Sequence, residues 1–212
     1  MKIKKVVKNL NKDGLIKLLH LFARKSFRFW EKHFLLHITP AHFYSPIPVT
    51  YELDSSVFEK IYDCTGIDLN LDEQLEYLHK VFPKYHTEYT PTVNTGLSLV
   101  DAFALYAMIR EKKPKVMIEI GAGETTKISL KALQMNKNEG NSYKFHSIEP
   151  YPRDDVKKIL NEDFELIHCK LQDVDIELLS TADLLFIDSS HVSKIDSDVN
   201  YEILEIIPKL KV

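Results

Sequence analysis

The distribution of apolar and polar positions divides the chain into two stretches of different rhythm. Over residues 14–36, Leu15, Leu18, Leu19, Phe22, Phe29, Trp30 and Phe34 recur at near-helical spacing among basic residues, which predicts an amphipathic helix. The stretch His42-Phe43-Tyr44-Ser45-Pro46-Ile47-Pro48 is punctuated by prolines and is expected to be irregular. Asn70-Leu71-Asp72-Glu73 has the form of a capping box, so a helix is expected from there to about Phe82, with Pro83 as its stop. A polar loop over 90–98 precedes a further helix from Leu99 to about Glu111.

From Pro114 the rhythm becomes strand–helix alternation. Val116 to Ile120 reads as a first strand, closed by Gly121-Ala122-Gly123 and followed by a helix from Thr125 to about Asn136. Further strands are predicted at Lys144 to Glu149, Phe164 to Cys169 and Leu184 to Asp188, with helices at Asp154 to Leu160 and Asp196 to about Leu210. Strands separated by helices imply an α/β fold with a parallel sheet and right-handed crossovers. The expected organisation is a helical N-terminal extension and cap over 1–112 and a Rossmann-like domain over 113–212.

Charge adds an asymmetry that the total conceals. The net charge is -3, yet residues 1–37 hold ten Lys/Arg against Asp13 and Glu31, a net of +8 that leaves -11 for the rest. Such an arm is expected to dock on its own acidic body; joining two protomers and peripheral membrane contact are the alternatives. Nothing in the overall charge points to nucleic acid. No apolar run reaches the roughly 18 residues a membrane span needs. Lys17, His20, Arg24 and Lys25 break up what would otherwise be a signal-peptide core. Cys64 and Cys169 match no metal or redox spacing, which suits a reducing, cytoplasmic setting.

The chemistry concentrates at the predicted C-terminal ends of the strands, where doubly wound sheets bind ligands. Gly121 and Gly123 would let a ligand approach the backbone, and Gly121→Val is expected to cost binding with little loss of fold. A dinucleotide fingerprint would have glycine where Thr126 stands. Glu119 and Glu124 flank the turn, and a carboxylate ~5 Å from a pyrophosphate would be repelled by roughly 3 kcal/mol at a dielectric of 20. The ammonium and sulfonium of S-adenosylmethionine would instead be welcome there. Glu149 at the end of the second strand could accept both ribose hydroxyls, and Gln172 and Asp173 could read the adenine amino group. Asp188 ends the fourth strand, and His191 could serve as a general base toward an acceptor hydroxyl. Divalent-metal ligation by the same pair is the less favoured alternative. Each position also has an ordinary reading as a solvated strand end, a loop residue or a helix cap.

Together these residues resemble the class I S-adenosylmethionine-dependent methyltransferases, and among them the bacterial small-molecule group of the methyltransferase-24 type. The likeness lies in Glu119-Ile120-Gly121-Ala122-Gly123, Ile148-Glu149-Pro150-Tyr151-Pro152 and Phe186-Ile187-Asp188-Ser189-Ser190-His191 with Ser197-Asp198-Val199-Asn200-Tyr201. The upstream 42–48 stretch and Gly66-Ile67-Asp68-Leu69-Asn70-Leu71 are similar as well. The resemblance implies cofactor contacts at Glu119, Gly121, Ala122, Gly123 and Glu149, with Gln172 or Asp173 near adenine. It implies a small-molecule acceptor, in many relatives glycan-related, and a fold that continues beyond the fourth strand and its helix, so a truncated chain is expected. Ser189-Ser190-His191, in place of the Pro-Pro-aromatic grip of base methyltransferases, favours a hydroxyl acceptor over a nucleic acid. The rival classes are an NAD-dependent oxidoreductase, a non-catalytic cofactor-fold interaction module and an aminopropyl transferase.

Overall fold

The computed structural model describes residues 12–41, 47, 53, 55–59, 61, 65, 66, 68–91 and 97–210. Residues 1–11 of the basic arm, the Pro-punctuated stretch apart from Ile47, and Cys64 lie outside them. The chain divides into two compact units, Met1–Asp68 and Leu69–Val212. The sequence pattern set its boundary at residue 112; in the contact pattern the two helices upstream of that point belong with the sheet.

The first unit contains α1 (Lys12–Phe34) and the short α2 (Ser55–Glu59). The second begins with α3 (Leu71–Tyr85) and α4 (Leu99–Lys112). It continues as β1 (Val116–Ile120), α5 (Glu124–Asn138), β2 (Lys144–Ile148), α6 (Asp154–Lys157), β3 (Phe164–Ile167), α7 (Ile176–Leu179), β4 (Leu184–Ile187) and α8 (Asp198–Tyr201).

All strand pairs are parallel and the sheet order is β3-β2-β1-β4. The chain steps outward from β1 to β3 and then crosses back to β4, which makes the C-terminal ends of β1 and β4 the switch point where such sheets open a crevice. The fold is α/β and Rossmann-like, as its alternating pattern predicts.

Alternation along β1 sorts its side chains between two cores. Met117, Phe145 and Phe164 face α4 and α5, meeting Tyr106, Ile109, Ile128 and Leu133. Ile118, Ile120 and Ile148 face the other way, onto Leu171, Leu179 and Ile206. Phe145 is fully buried, so Phe145→Ala would cost about 3–5 kcal/mol. Arg110, with 2% of its side chain exposed, bonds Glu88 at 2.6 Å and Glu139 at 2.5 Å and so clips α4 to the end of α5. Losing either carboxylate would leave a buried charge short of partners.

Three local expectations are overturned. Asn70 sits in the left-handed region (φ 48) and its side chain makes no cap bond, so the capping box does not form. Pro83 does not stop α3, which runs to Tyr85 with the proline in its last turn, where a single missing N–H is tolerated. The last helix is not continuous: α8 gives way to a π-turn over Glu202–Ile206 and a 3-10 turn over Ile207–Lys209. Pro208 lies in the 3-10 turn, where it cannot donate to the carbonyl of Leu204.

Candidate cofactor cleft at the ends of the strands

Beyond β1, β2 and β4 lies a cleft of about 570 Å³. Its walls include Gly121, Glu149, Lys170, Gln172, Asp188 and the residues 194–198. The size falls in the roughly 300–1,000 Å³ range of small-molecule sites. Four carboxylates (Glu149, Asp188, Asp196, Asp198) and two lysines (Lys170, Lys194) line it, an acidic balance that suits a cationic ligand.

Gly121 is required by geometry. Its φ is +93°, and a Cβ there would stand 2.0 Å from the backbone oxygen of Asp188. The glycine therefore lets β1 and β4 approach as well as opening the turn, so the expectation that Gly121→Val would spare the fold is overturned. Gly123 differs: its backbone is extended and its Cβ would meet nothing within 4 Å. The space beside Gly123 is open to a ligand, although Gly123 and Ala122 do not themselves wall the cleft.

Glu119 is not in the cleft. Its parity along β1 matches Met117, so the side chain turns toward α5 and is wholly buried. There Oε2 accepts from Thr126 Oγ1 at 2.6 Å and Ser147 Oγ at 2.9 Å, while Oε1 accepts no hydrogen bond among the described residues. Burial pushes its carboxyl up to about 7, and the hydroxyls of Thr126, Thr125 and Ser147 only partly offset this. Thr126 also accepts from the Gly123 N–H at 2.9 Å. The residue that breaks the dinucleotide fingerprint thus holds the turn to the strand, which a glycine could not do.

Glu124 is neutralised by Lys127 at 2.8 Å and Arg153 at 3.2 Å. The flanking acids therefore do not supply the field inferred from the sequence: one is paired and the other is buried and half neutral. The acidity that a sulfonium would meet comes from Glu149 and Asp188 instead.

Glu149 follows β2 and lines the cleft. Its Oε1 accepts from Tyr151 N at 2.7 Å and its Oε2 from Ala122 N at 3.3 Å, which aims the carboxylate and ties the second loop to the first. Each oxygen keeps a lone pair for a further donor. Gln172 lines the cleft, its amide donating to the Asp196 carbonyl at 3.1 Å; Asp173 does not line it and is exposed.

Asp188 accepts from Thr125 Oγ1 at 3.2 Å and lies 3.3 Å from His191 Nε2. His191 occupies the left-handed region (φ 57), an uncommon conformation for a residue with a Cβ, and 74% of its side chain is exposed. The loop between them is fastened by two acids that the sequence pattern did not single out. Asp198 accepts from Ser190 N at 2.9 Å, and buried Glu202 accepts from Ser189 Oγ at 3.1 Å. The signal available was Ser197, whose hydroxyl caps α8 through Asn200 N and so places Asp198. Among the described residues no group of three or more His, Cys, Asp or Glu side chains is arranged to hold a metal ion.

A glycine turn after β1, a carboxylate closing β2 and an acidic crevice at the switch point define an α/β protein built for a nucleoside cofactor. Residues 118–212 match the methyltransferase-24 family, described as a methyltransferase domain. An uncharacterized protein of Archaeoglobus fulgidus is 33% identical over 163 residues, spanning 67% of this chain and 72% of the relative. The SAH-bound methyltransferase PaMTH1 of Podospora anserina matches at a TM-score of 0.36 and 17% identity, over 61% of this chain and 62% of its own. The chain belongs to the methyltransferase-24 family of class I S-adenosylmethionine-dependent methyltransferases, and S-adenosylmethionine is the cofactor of that class. The residues present fit it: open space at Gly123, an aimed carboxylate at Glu149 and a net acidic wall.

Proposed function

We propose that the chain methylates a hydroxyl group of a small molecule or glycan-related acceptor. The observation that carries this reading is the Asp188–His191 pair, 3.3 Å apart: Asp188 and Ser190 line the cleft, and His191 stands exposed just outside that lining. S-adenosylmethionine, when bound, supplies a methyl carbon made electrophilic by its sulfonium. Gly121, with the open space beside Gly123, would receive its methionine portion, and Glu149 would accept from the ribose hydroxyls. Gln172, whose Nε2 is engaged by Asp196, offers its carbonyl to the adenine amino group.

Asp188 orients the imidazole through Nε2, which leaves Nδ1 as the basic nitrogen. His191 Nδ1 would take the acceptor's hydroxyl proton as that oxygen gains the methyl group, the carbon–sulfur bond breaking with its electron pair left on sulfur as a neutral thioether. Asp188 then stabilises the imidazolium. A cytoplasmic location belongs to this reading and is supported by the free, half-buried thiol of Cys169.

The test is to incubate the chain with methyl-labelled S-adenosylmethionine and a panel of hydroxylated small molecules and glycans. Label recovered in an ether linkage supports the reading. Label recovered only in amine or carboxyl products, or none with any acceptor, overturns it.

A further inference from the structure

We propose that helix α1 docks on an anionic lipid surface as an interfacial anchor, a property independent of the methyltransferase reading. At 23 residues α1 is about 35 Å long, and at 3.6 residues per turn Leu15, Leu18, Phe22 and Phe29 fall on one arc. Those four are 38%, 44%, 56% and 53% exposed, whereas a helix of this pattern in a closed fold buries that arc. Near its end Trp30 and Phe34 stack at 5.3 Å and Phe29 joins both, forming an aromatic cluster of the kind that favours the headgroup region.

Lys17, Arg24 and Arg28 occupy the other side of the helix, and Lys25 borders the apolar arc. None of them makes an ion pair among the described residues, while Lys80, Lys84, Lys113, Lys127 and Lys137 in the second unit all do. Arg24, Lys25 and Arg28 also border a hollow of about 370 Å³ closed by Phe27, Ile38, Thr39 and Pro40, with no carboxylate among the described residues of its lining. Unpaired cations around an acid-free hollow match a phosphate headgroup, and the apolar arc matches the acyl boundary beneath it.

Charge selects this occupant over a second copy of the helix. Within α1 six Lys/Arg face two acids, so a like helix would bring net positive charge against net positive charge. No helix among the described residues is long and apolar enough to cross a membrane, so α1 lies on the surface.

Trp30 is the only tryptophan in the chain, which makes its fluorescence a local reporter. The full chain is mixed with vesicles of equal parts phosphatidylglycerol and phosphatidylcholine, and with vesicles of phosphatidylcholine alone. The expected result is a blue shift and co-sedimentation with the anionic vesicles only, reversed by high salt. The combined change Arg24→Glu, Lys25→Glu, Arg28→Glu should weaken this by roughly tenfold or more, and Phe22→Ser with Phe29→Ser should abolish the blue shift. Circular dichroism of both variants checks that α1 still forms. Protein that stays in the supernatant with anionic vesicles at low salt, or binds both compositions equally, overturns the proposal. So does a dimer, seen by sedimentation equilibrium, that these substitutions dissociate.

Discussion

The two sides of the switch point are built to different standards. On the β1–β2 side, Glu119, Thr125, Thr126 and Ser147 are 0–2% exposed and the turn is fixed by hydrogen bonds to buried groups. On the β4 side, His191 is largely exposed, and Val192 and Ile195 leave 51% and 96% of their surface to solvent. One side is determined from within by backbone and buried polar atoms. The other offers an open loop with its apolar groups exposed. The cofactor side is thus fixed by the fold, and the other side is left open to solvent.

The strongest way to break that comparison is at the one residue both sides share. Gly121→Val places a Cβ against the Asp188 carbonyl at a positive φ, and should cost about 3 kcal/mol or more and lower the melting temperature sharply. Gly123→Ala, with open space around it, should change stability by less than about 1 kcal/mol and reveal itself only in S-adenosylmethionine affinity. Equal melting of the two variants would refute the distinction.

On the open side, His191→Ala should reduce turnover by roughly 100-fold or more, the scale of general-base catalysis, with the cofactor dissociation constant unchanged. A parallel loss of cofactor affinity would move His191 into the cofactor site. On the closed side, Glu149→Ala should weaken S-adenosylmethionine binding by about 1–3 kcal/mol in calorimetry. Part of that loss would come from untying the Ala122 and Tyr151 N–H groups, and Glu149→Gln, which keeps an acceptor oxygen, should recover part of it. An unchanged dissociation constant in Glu149→Ala would leave the carboxylate with a purely local role.

The closed side was also the more legible in sequence, and for a physical reason. Short apolar strands, a glycine turn and helical periodicity are local signals, so β1, the turn and α5 can be read from neighbouring residues. The fate of each carboxylate is not local. Glu119 and Glu124 look alike as flanking acids, but strand parity sends Glu119 inward onto Thr126 and Ser147, and Arg153 reaches Glu124 from 29 residues away. Asp198 and Glu202 were missed because their partners, Ser190 and Ser189, are reached only once the chain after β4 folds back. The unbroken helix expected there gives way at Glu202, where the apolar rhythm carries no sign of a change of winding, and Pro208 then falls in the closing 3-10 turn.

The smallest expected effect at acid pH, and the sharpest test of the closed side across the pH range, concerns Glu119. Its carboxyl is raised from an ordinary 4.5 to about 7 by burial, so the folded chain holds this proton more tightly than the unfolded one. The stability linked to it is fully present below about 4.5 and is lost as pH rises toward 7. By linkage the total loss is at most about 3 kcal/mol, and less if the interior relaxes around the charge. Glu119→Gln keeps a carbonyl oxygen to accept from Thr126 and Ser147, and removes the proton. Near pH 4.5 and below, where both side chains are neutral, its stability should differ from wild type by about 1 kcal/mol or less. Between pH 4.5 and 7 it should lack the decline that wild type shows in denaturant midpoints. If both proteins trace the same pH curve, Glu119 is already ionised in the fold, and the turn is held by a buried charge instead of a neutral acid.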